Sequence, residues 1–256
     1  MKKTLSIILA LVLSLLMIPA GMISSAAVGE VDTGYTPEAG SVAISSVEQF
    51  EAMGTGNYHL TCDLDFSGKT YTTSVTGLIN GTLDGCGHSI TGIKVNSTGA
   101  ASVFGDLKGT IKNLTIGTAQ APIKITSTGD VHIGALIDDC RNECLIENVK
   151  IYADVVSPYI AGGFIGYLAS PNAVFRNCEM NGSVTVDATG TGRGGAGGIV
   201  ARAKSCDYVL VDNCVNNASI SMLNKTADDY ADLMDCCTPA FPVLHHLPEF
   251  AQTHVH

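Results

Sequence analysis

The stretch Ile111-Lys112-Asn113-Leu114-Thr115-Ile116 has the form apolar-x-Asn-apolar-x-apolar. That form returns at Ile146-Glu147-Asn148-Val149-Lys150-Ile151 and at Phe175-Arg176-Asn177-Cys178-Glu179-Met180. It returns once more, with a polar last residue, at Val211-Asp212-Asn213-Cys214-Val215-Asn216. An earlier segment, Ile90-Thr91-Gly92-Ile93-Lys94-Val95, fits with glycine in place of asparagine. A straight strand puts every second side chain on one face. Here the apolar positions are three apart, so the chain must bend between them to keep both inside. The bend is cheapest at a residue that tolerates left-handed backbone, as glycine does freely and asparagine more readily than most. Gly92, Asn113, Asn148, Asn177 and Asn213 are therefore expected at positive φ, stacked as a ladder inside the wall.

A second column travels with the first. Ser102-Val103-Phe104, Gly134-Ala135-Leu136, Gly163-Phe164-Ile165 and Gly198-Ile199-Val200 open short apolar strands 11, 14, 14 and 15 residues before the matching asparagine. The bend column itself steps by 21, 35, 29 and 36 residues. Three strands of about 5 residues with short connections need twenty-odd residues, so the first step is one bare coil and the longer ones carry surface loops. This points to an all-β chain, a right-handed parallel β-helix built by repetition. An antiparallel sandwich or barrel is the alternative, and it gives no reason for a bend residue at the same place in each coil. The residues before each asparagine are Lys112, Glu147, Arg176 and Asp212, alternating in sign. In a parallel stack they would lie about 4.8 Å apart and compensate one another. Lys150 and Glu179 form a similar pair.

Outside the repeat, Lys2 and Lys3 precede an apolar run from Leu5 to Ile18, and Ser25 and Ala27 offer a small-residue cleavage site. This is the pattern of a secretory leader, expected over residues 1–27, with an uncleaved membrane anchor as the alternative. Residues 28–43 read as a linker, 44–225 as the repeat domain and 226–256 as an irregular tail with Cys236, Cys237 and three prolines. Ser45 and Glu48 make a capping-box pattern, so a short helix is expected to cover the first coil. Loss of the leader's two lysines takes the formal charge from −10 to −12, which argues against nucleic acid or anionic lipid as partner. Nine cysteines at irregular spacing set neither a disulfide framework nor a zinc site.

Ser46 to Phe50, Tyr58 to Asp65, Gly81 to Ile90, Val103 to Leu107 and Gly109 to Ile116 resemble secreted bacterial surface proteins with GLUG-type repeats. The Gly162–Gly166 and Gly197–Val200 segments look like further copies, so the resemblance spans roughly residues 42–220. Such proteins are similar in expected fold to the pectate-lyase-like β-helix superfamily. The chain departs from them at Cys62 and Cys86, and no wall anchor is recognisable after the repeats. The resemblance implies a non-catalytic, adhesin-like role at the cell surface or outside the cell, with a glycan or protein as partner.

The enzyme alternative is a polysaccharide lyase or glycoside hydrolase on the same scaffold. A lyase needs clustered carboxylates and a base, and a hydrolase needs two carboxylates flanking the bond. Asp106, Asp138, Tyr167 and Arg202 read as one column after the glycine-led strand, with Asp139 and Asp207 nearby. Asp106, Asp138 and Arg202 are its catalytic candidates; Tyr167, Arg202 and Asp138 are the binding candidates if there is no catalysis. Acidic turn residues are ordinary in a chain of this charge, and no nucleophile elbow, zinc-protease motif or phosphate loop is present. No cofactor or metal is expected; Asp63 and Asp65 are the place where Ca²⁺ would be looked for, although alternating aspartates are common in strands. His88 reads as a turn residue. Cys178 and Cys214 occupy the apolar position of Leu114 and Val149, as core residues or as a disulfide. Tryptophan is absent, leaving Tyr152, Tyr159, Tyr167 and Tyr208 as aromatic platforms for a sugar.

Overall fold

The computed structural model describes residues 34–187 and 194–224. The expected leader and the whole of the expected tail lie outside them. The described chain is all-β, with one short helix, and each of its strand ladders is parallel. An antiparallel arrangement is thereby excluded for these ladders.

The strands fall into layers, each paired with the layer before and after it in sequence. The first holds β1 (Val42–Ile44) and the helix α1 (Val47–Glu51); the second holds β2 (Thr55–Leu60) and β3 (Leu64–Asp65). The third comprises β4 (Thr76–Asp84), β5 (Ser89–Thr91) and β6 (Lys94–Ser97), and the fourth β7 (Phe104–Ile116) and β8 (Ile123–Ser127). The fifth comprises β9 (His132–Gly134), β10 (Ile137–Cys140) and β11 (Cys144–Ser157). The sixth runs through β12 (Ile160–Gly162), β13 (Ile165–Leu168), β14 (Asn172–Arg176) and β15 (Glu179–Asp187). The seventh runs through β16 (Gly195–Gly197), β17 (Val200–Ala203), β18 (Tyr208–Asp212), β19 (Val215–Asn216) and β20 (Ser219–Leu223).

Register explains the core. Leu83, Ile111, Ile146, Phe175 and Val211 align across five layers, and the first four are fully buried. Ile90, Ile116, Ile151 and Met180 form a second buried column. Each such side chain contributes about 1.5–3 kcal/mol through removal from water. The seventh layer is buried less well: Val211 is 38%, Val215 49% and Leu223 48% exposed. At the other end α1 drops Phe50 onto Phe66 and Phe104, with ring centroids 5.3 and 5.6 Å away. Its cap is Ser46 rather than Ser45, with the Gln49 amide donating to the Ser46 hydroxyl. The box is thus shifted by one residue: the Gln49 side chain accepts from the Ser45 amide, and Glu48 does not fill that place.

All five expected bend residues have positive φ: Gly92 75°, Asn113 53°, Asn148 53°, Asn177 52° and Asn213 50°. Two details differ from expectation. Gly92 is not in the asparagine column, because Ile90 pairs with Ile116 and it is Leu83 that pairs with Ile111. The third layer turns the asparagine corner through Gly85, Cys86 and Gly87 instead, with Cys86 at φ 48°. The asparagine ladder also lies on the outer surface, not inside: Asn113 is half-buried, and Asn148, Asn177 and Asn213 are exposed. The flanking apolar residues occupy the interior at each corner, which leaves the asparagine on the convex side. The amides still stack there. Asn148 donates to Asn113 at 3.0 Å, Asn213 to Asn177 at 2.7 Å, and Asn113 to Asp84 at 3.0 Å.

The charge column holds as read. Lys112, Glu147, Arg176 and Asp212 follow one another in register, and Asp84, absent from the expected column, precedes them in the third layer. Ion pairs join Lys112 to Asp84 at 3.3 Å, Arg176 to Glu147 at 3.3 Å, and Arg176 to Asp212 at 3.5 Å. Lys150 and Glu179 pair at 2.9 Å.

Candidate functional site

The outward side of β10, β13 and β17 gathers aromatic, acidic and basic side chains from successive layers. Tyr167 is in register with Arg202 on one side and with Asp139 on the other. Phe104 pairs with Ile137, so Asp106, two residues on, lies beside Asp139. The column is therefore Asp106, Asp139, Tyr167 and Arg202. Asp138, the expected member, is displaced by one residue. The error traces to glycine: Gly134 pairs with Gly162 and Gly197, not with Gly163 and Gly198. Ala135 stands where the later layers have their second glycine, which moves the following residues along by one.

Neighbouring elements complete the patch. The neighbouring ladder sets His132 opposite Ile160, directly after Tyr159. The His132 ring stacks on Tyr167 with centroids 4.7 Å apart and sits 5.8 Å from Tyr159. The Arg141 guanidinium lies 5.3 Å from the centre of the Tyr167 ring. It also donates to Asp139 Oδ2 through Nε and Nη2, at 3.1 and 2.7 Å. Arg202 Nη1 donates to the Tyr159 hydroxyl at 3.4 Å. Asn142 Nδ2 donates to Asp106 Oδ2 at 3.1 Å.

The electrostatics follow from partial burial. Asp139 Oδ1 is shielded from solvent and has no hydrogen-bond partner among the described residues. Desolvation raises the Asp106 carboxyl, and the Asp139 charge beside it adds to the effect. Burial pushes the Asp138 carboxyl up to about 7. Burial also lowers the His132 imidazole, which favours its neutral form at neutral pH. The patch thus offers stacked aromatic faces, two guanidinium groups and the carboxyl groups of Asp106 and Asp139.

Of the expected site residues, the register brings together Asp106, Tyr167 and Arg202, with Tyr159 beside them. Asp207 lies in the exposed turn before β18 and Tyr208 on that strand. Tyr152 meets Lys150, whose ammonium is 5.3 Å from its ring. Asp63 and Asp65 accept backbone amides of Ser89 and Ser67 at 2.7 and 2.9 Å. His88 is buried, with Nδ1 3.5 Å from Asp63, in keeping with a turn role. Sequence reasoning missed His132, Arg141 and Asn142; aligning His132-Ile133-Gly134 with Ile160-Ala161-Gly162 would have found the first.

A second feature is a groove of about 410 Å³ along the asparagine ladder, lined by Asn113, Asn148, Asn177, Lys150, Glu179 and Tyr35. The Tyr35 hydroxyl reaches Asn148 Nδ2 at 2.9 Å. The chain matches no family model, no curated protein and no solved structure.

Proposed function

We propose that this chain is a secreted or cell-surface right-handed parallel β-helix that binds an extracellular glycan or protein without chemical turnover. The layers are the coils of that helix, and α1 caps its first coil. The parallel register, the recurrent corners and the resemblance to GLUG-type surface proteins support this reading of the fold. The observation that carries the binding role is the aromatic and cationic patch of His132, Tyr159 and Tyr167 with Arg141 and Arg202. A sugar ring presents C–H groups that pack on aromatic faces and hydroxyls that pair with guanidinium and carboxylate groups. Because the patch draws on successive coils, it suits a polymer touched at several points along its length.

The test is binding of the purified chain to a panel of neutral and acidic polysaccharides, with and without Ca²⁺. Saturable binding that weakens about tenfold in Tyr167→Ala, equivalent to about 1.4 kcal/mol, supports the proposal. Equal binding by the variant removes the patch from it.

A second reading is favoured by one observation: Asp138 is held up to about 7 beside the Asp106 and Asp139 carboxyls. A protonated acid near an ionised carboxylate is the arrangement that glycoside cleavage uses. New reducing ends, or unsaturated products absorbing in the ultraviolet, that vanish in Asp139→Asn would replace binding by catalysis.

A further inference from the structure

We propose that Cys178 and Cys214 form a disulfide site, a covalent staple between the sixth and seventh layers. This inference rests on register and is independent of the ligand. Arg176 pairs with Asp212 and Glu179 with Val215, so the two cysteines occupy the same place in the corners of adjacent layers. The Val215 amide donates to the Cys178 carbonyl at 2.8 Å, fixing the alignment at this point. Neighbouring strands lie about 4.8 Å apart, inside the Cα separation of about 4.4–6.8 Å that a disulfide spans. Both cysteines follow an asparagine corner of nearly the same φ, 52° and 50°, which points the two Cβ atoms in the same sense.

The Cys178 thiol donates to the Ile146 and Arg176 carbonyls at 3.4 and 3.2 Å, and the Cys214 thiol to the Asp212 carbonyl at 3.4 Å. The nearness of the two thiols lowers the Cys214 thiol and raises that of Cys178. Cys178 is buried and Cys214 is half-buried, so an oxidant meets Cys214 first. Cys140 and Cys144 are both buried, which withholds them from a reagent in solution. The staple ties down the poorly buried seventh layer, whose strands carry Val211 and Val215.

The oxidant is a small disulfide such as oxidised glutathione. The Cys214 thiolate attacks one of its sulfurs, forming a mixed disulfide and releasing one thiol. Cys178, once deprotonated, attacks the Cys214 sulfur and releases the second thiol. Two protein thiols are oxidised, the carrier disulfide is reduced to two thiols, and the two S–H protons end on the carrier.

The experiment oxidises the full chain with oxidised glutathione, alkylates the remaining thiols and maps the peptides. Trypsin cuts between the two cysteines at Arg193, Arg202 and Lys204, and cleavage before Asp207 and Asp212 parts Cys214 from Cys206, so only the bond holds the peptides together. The expected result is a Cys178–Cys214 peptide, lighter by two hydrogens than its parts, with Cys140 and Cys144 recovered as alkylated thiols. In Cys178→Ser, Cys214 should accumulate as its glutathione adduct, because nothing resolves it. Recovery of Cys178 and Cys214 as free thiols after oxidation, Cys214 bonded to another cysteine, or no adduct in Cys178→Ser overturns the proposal.

Discussion

Replacing Asn177 separates the two roles of the corner. Its backbone is held at φ 52°, a region that strains a β-branched residue by about 1–3 kcal/mol. Its side-chain oxygen accepts from Asn213 at 2.7 Å on the exposed surface, a bond contributing about 0.5–1.5 kcal/mol. Asn177→Val loses both and should destabilise by about 2–4 kcal/mol. Asn177→Gly keeps the left-handed corner and loses the hydrogen bond, while adding about 0.5–1 kcal/mol of freedom to the unfolded chain. It should destabilise by about 1–2 kcal/mol. In a domain of this size each kcal/mol moves the melting temperature by about 2–4 °C. Thermal unfolding followed by far-ultraviolet circular dichroism therefore distinguishes a fall of about 5–10 °C for valine from about half that for glycine. Equal falls for the two variants would refute the backbone argument and leave only the amide ladder.

Three further outcomes are expected. Glu147→Lys sets a third cation in register between Lys112 and Arg176; it should destabilise by about 1–2 kcal/mol at low salt, and the loss should shrink in 1 M salt. Asp138 binds its proton more tightly folded than unfolded, its pKa rising from 3.8 to about 7. Its favourable contribution is thus complete below about pH 4 and lost as the pH rises through about 7. Denaturant unfolding of Asp138→Asn should gain on the parent by up to about 1.4 kcal/mol per pH unit across that window, and no pH dependence of the difference would contradict the assignment. Oxidation of Cys178 and Cys214 closes a loop of 36 residues and should raise stability by about 4 kcal/mol, seen as a higher melting temperature that a reductant reverses.

The corners and the charge column were legible because both are written in residue chemistry at a repeating position. Asn113, Asn148, Asn177 and Asn213 each stand between apolar residues three apart, and a bend is the way to bury both. What sequence could not fix was the direction of the amide, which depends on which side of the corner the backbone leaves free. Register failed by one residue where Ala135 replaces a glycine, and that single step exchanged Asp138 for Asp139. Gly92 matched the pattern from a different corner, since any tight turn in such a chain favours glycine. His132 and Arg141 escaped notice because each reaches Tyr167 from a neighbouring turn or ladder, a proximity that spacing along one chain does not encode.

The column of Asp106, Asp139, Tyr167 and Arg202 takes one residue from each of four successive layers. The strands of those layers pair only with strands of neighbouring layers, so the chain can unravel from an end, one layer of about 30 residues releasing about 100 Å of slack. A ligand lying along the column grips four layers together and acts as a brace against that unravelling. Fraying of the seventh layer removes Arg202 alone and leaves the rest of the column assembled. Occupancy would then register mechanically, as a greater pull needed to peel the stack.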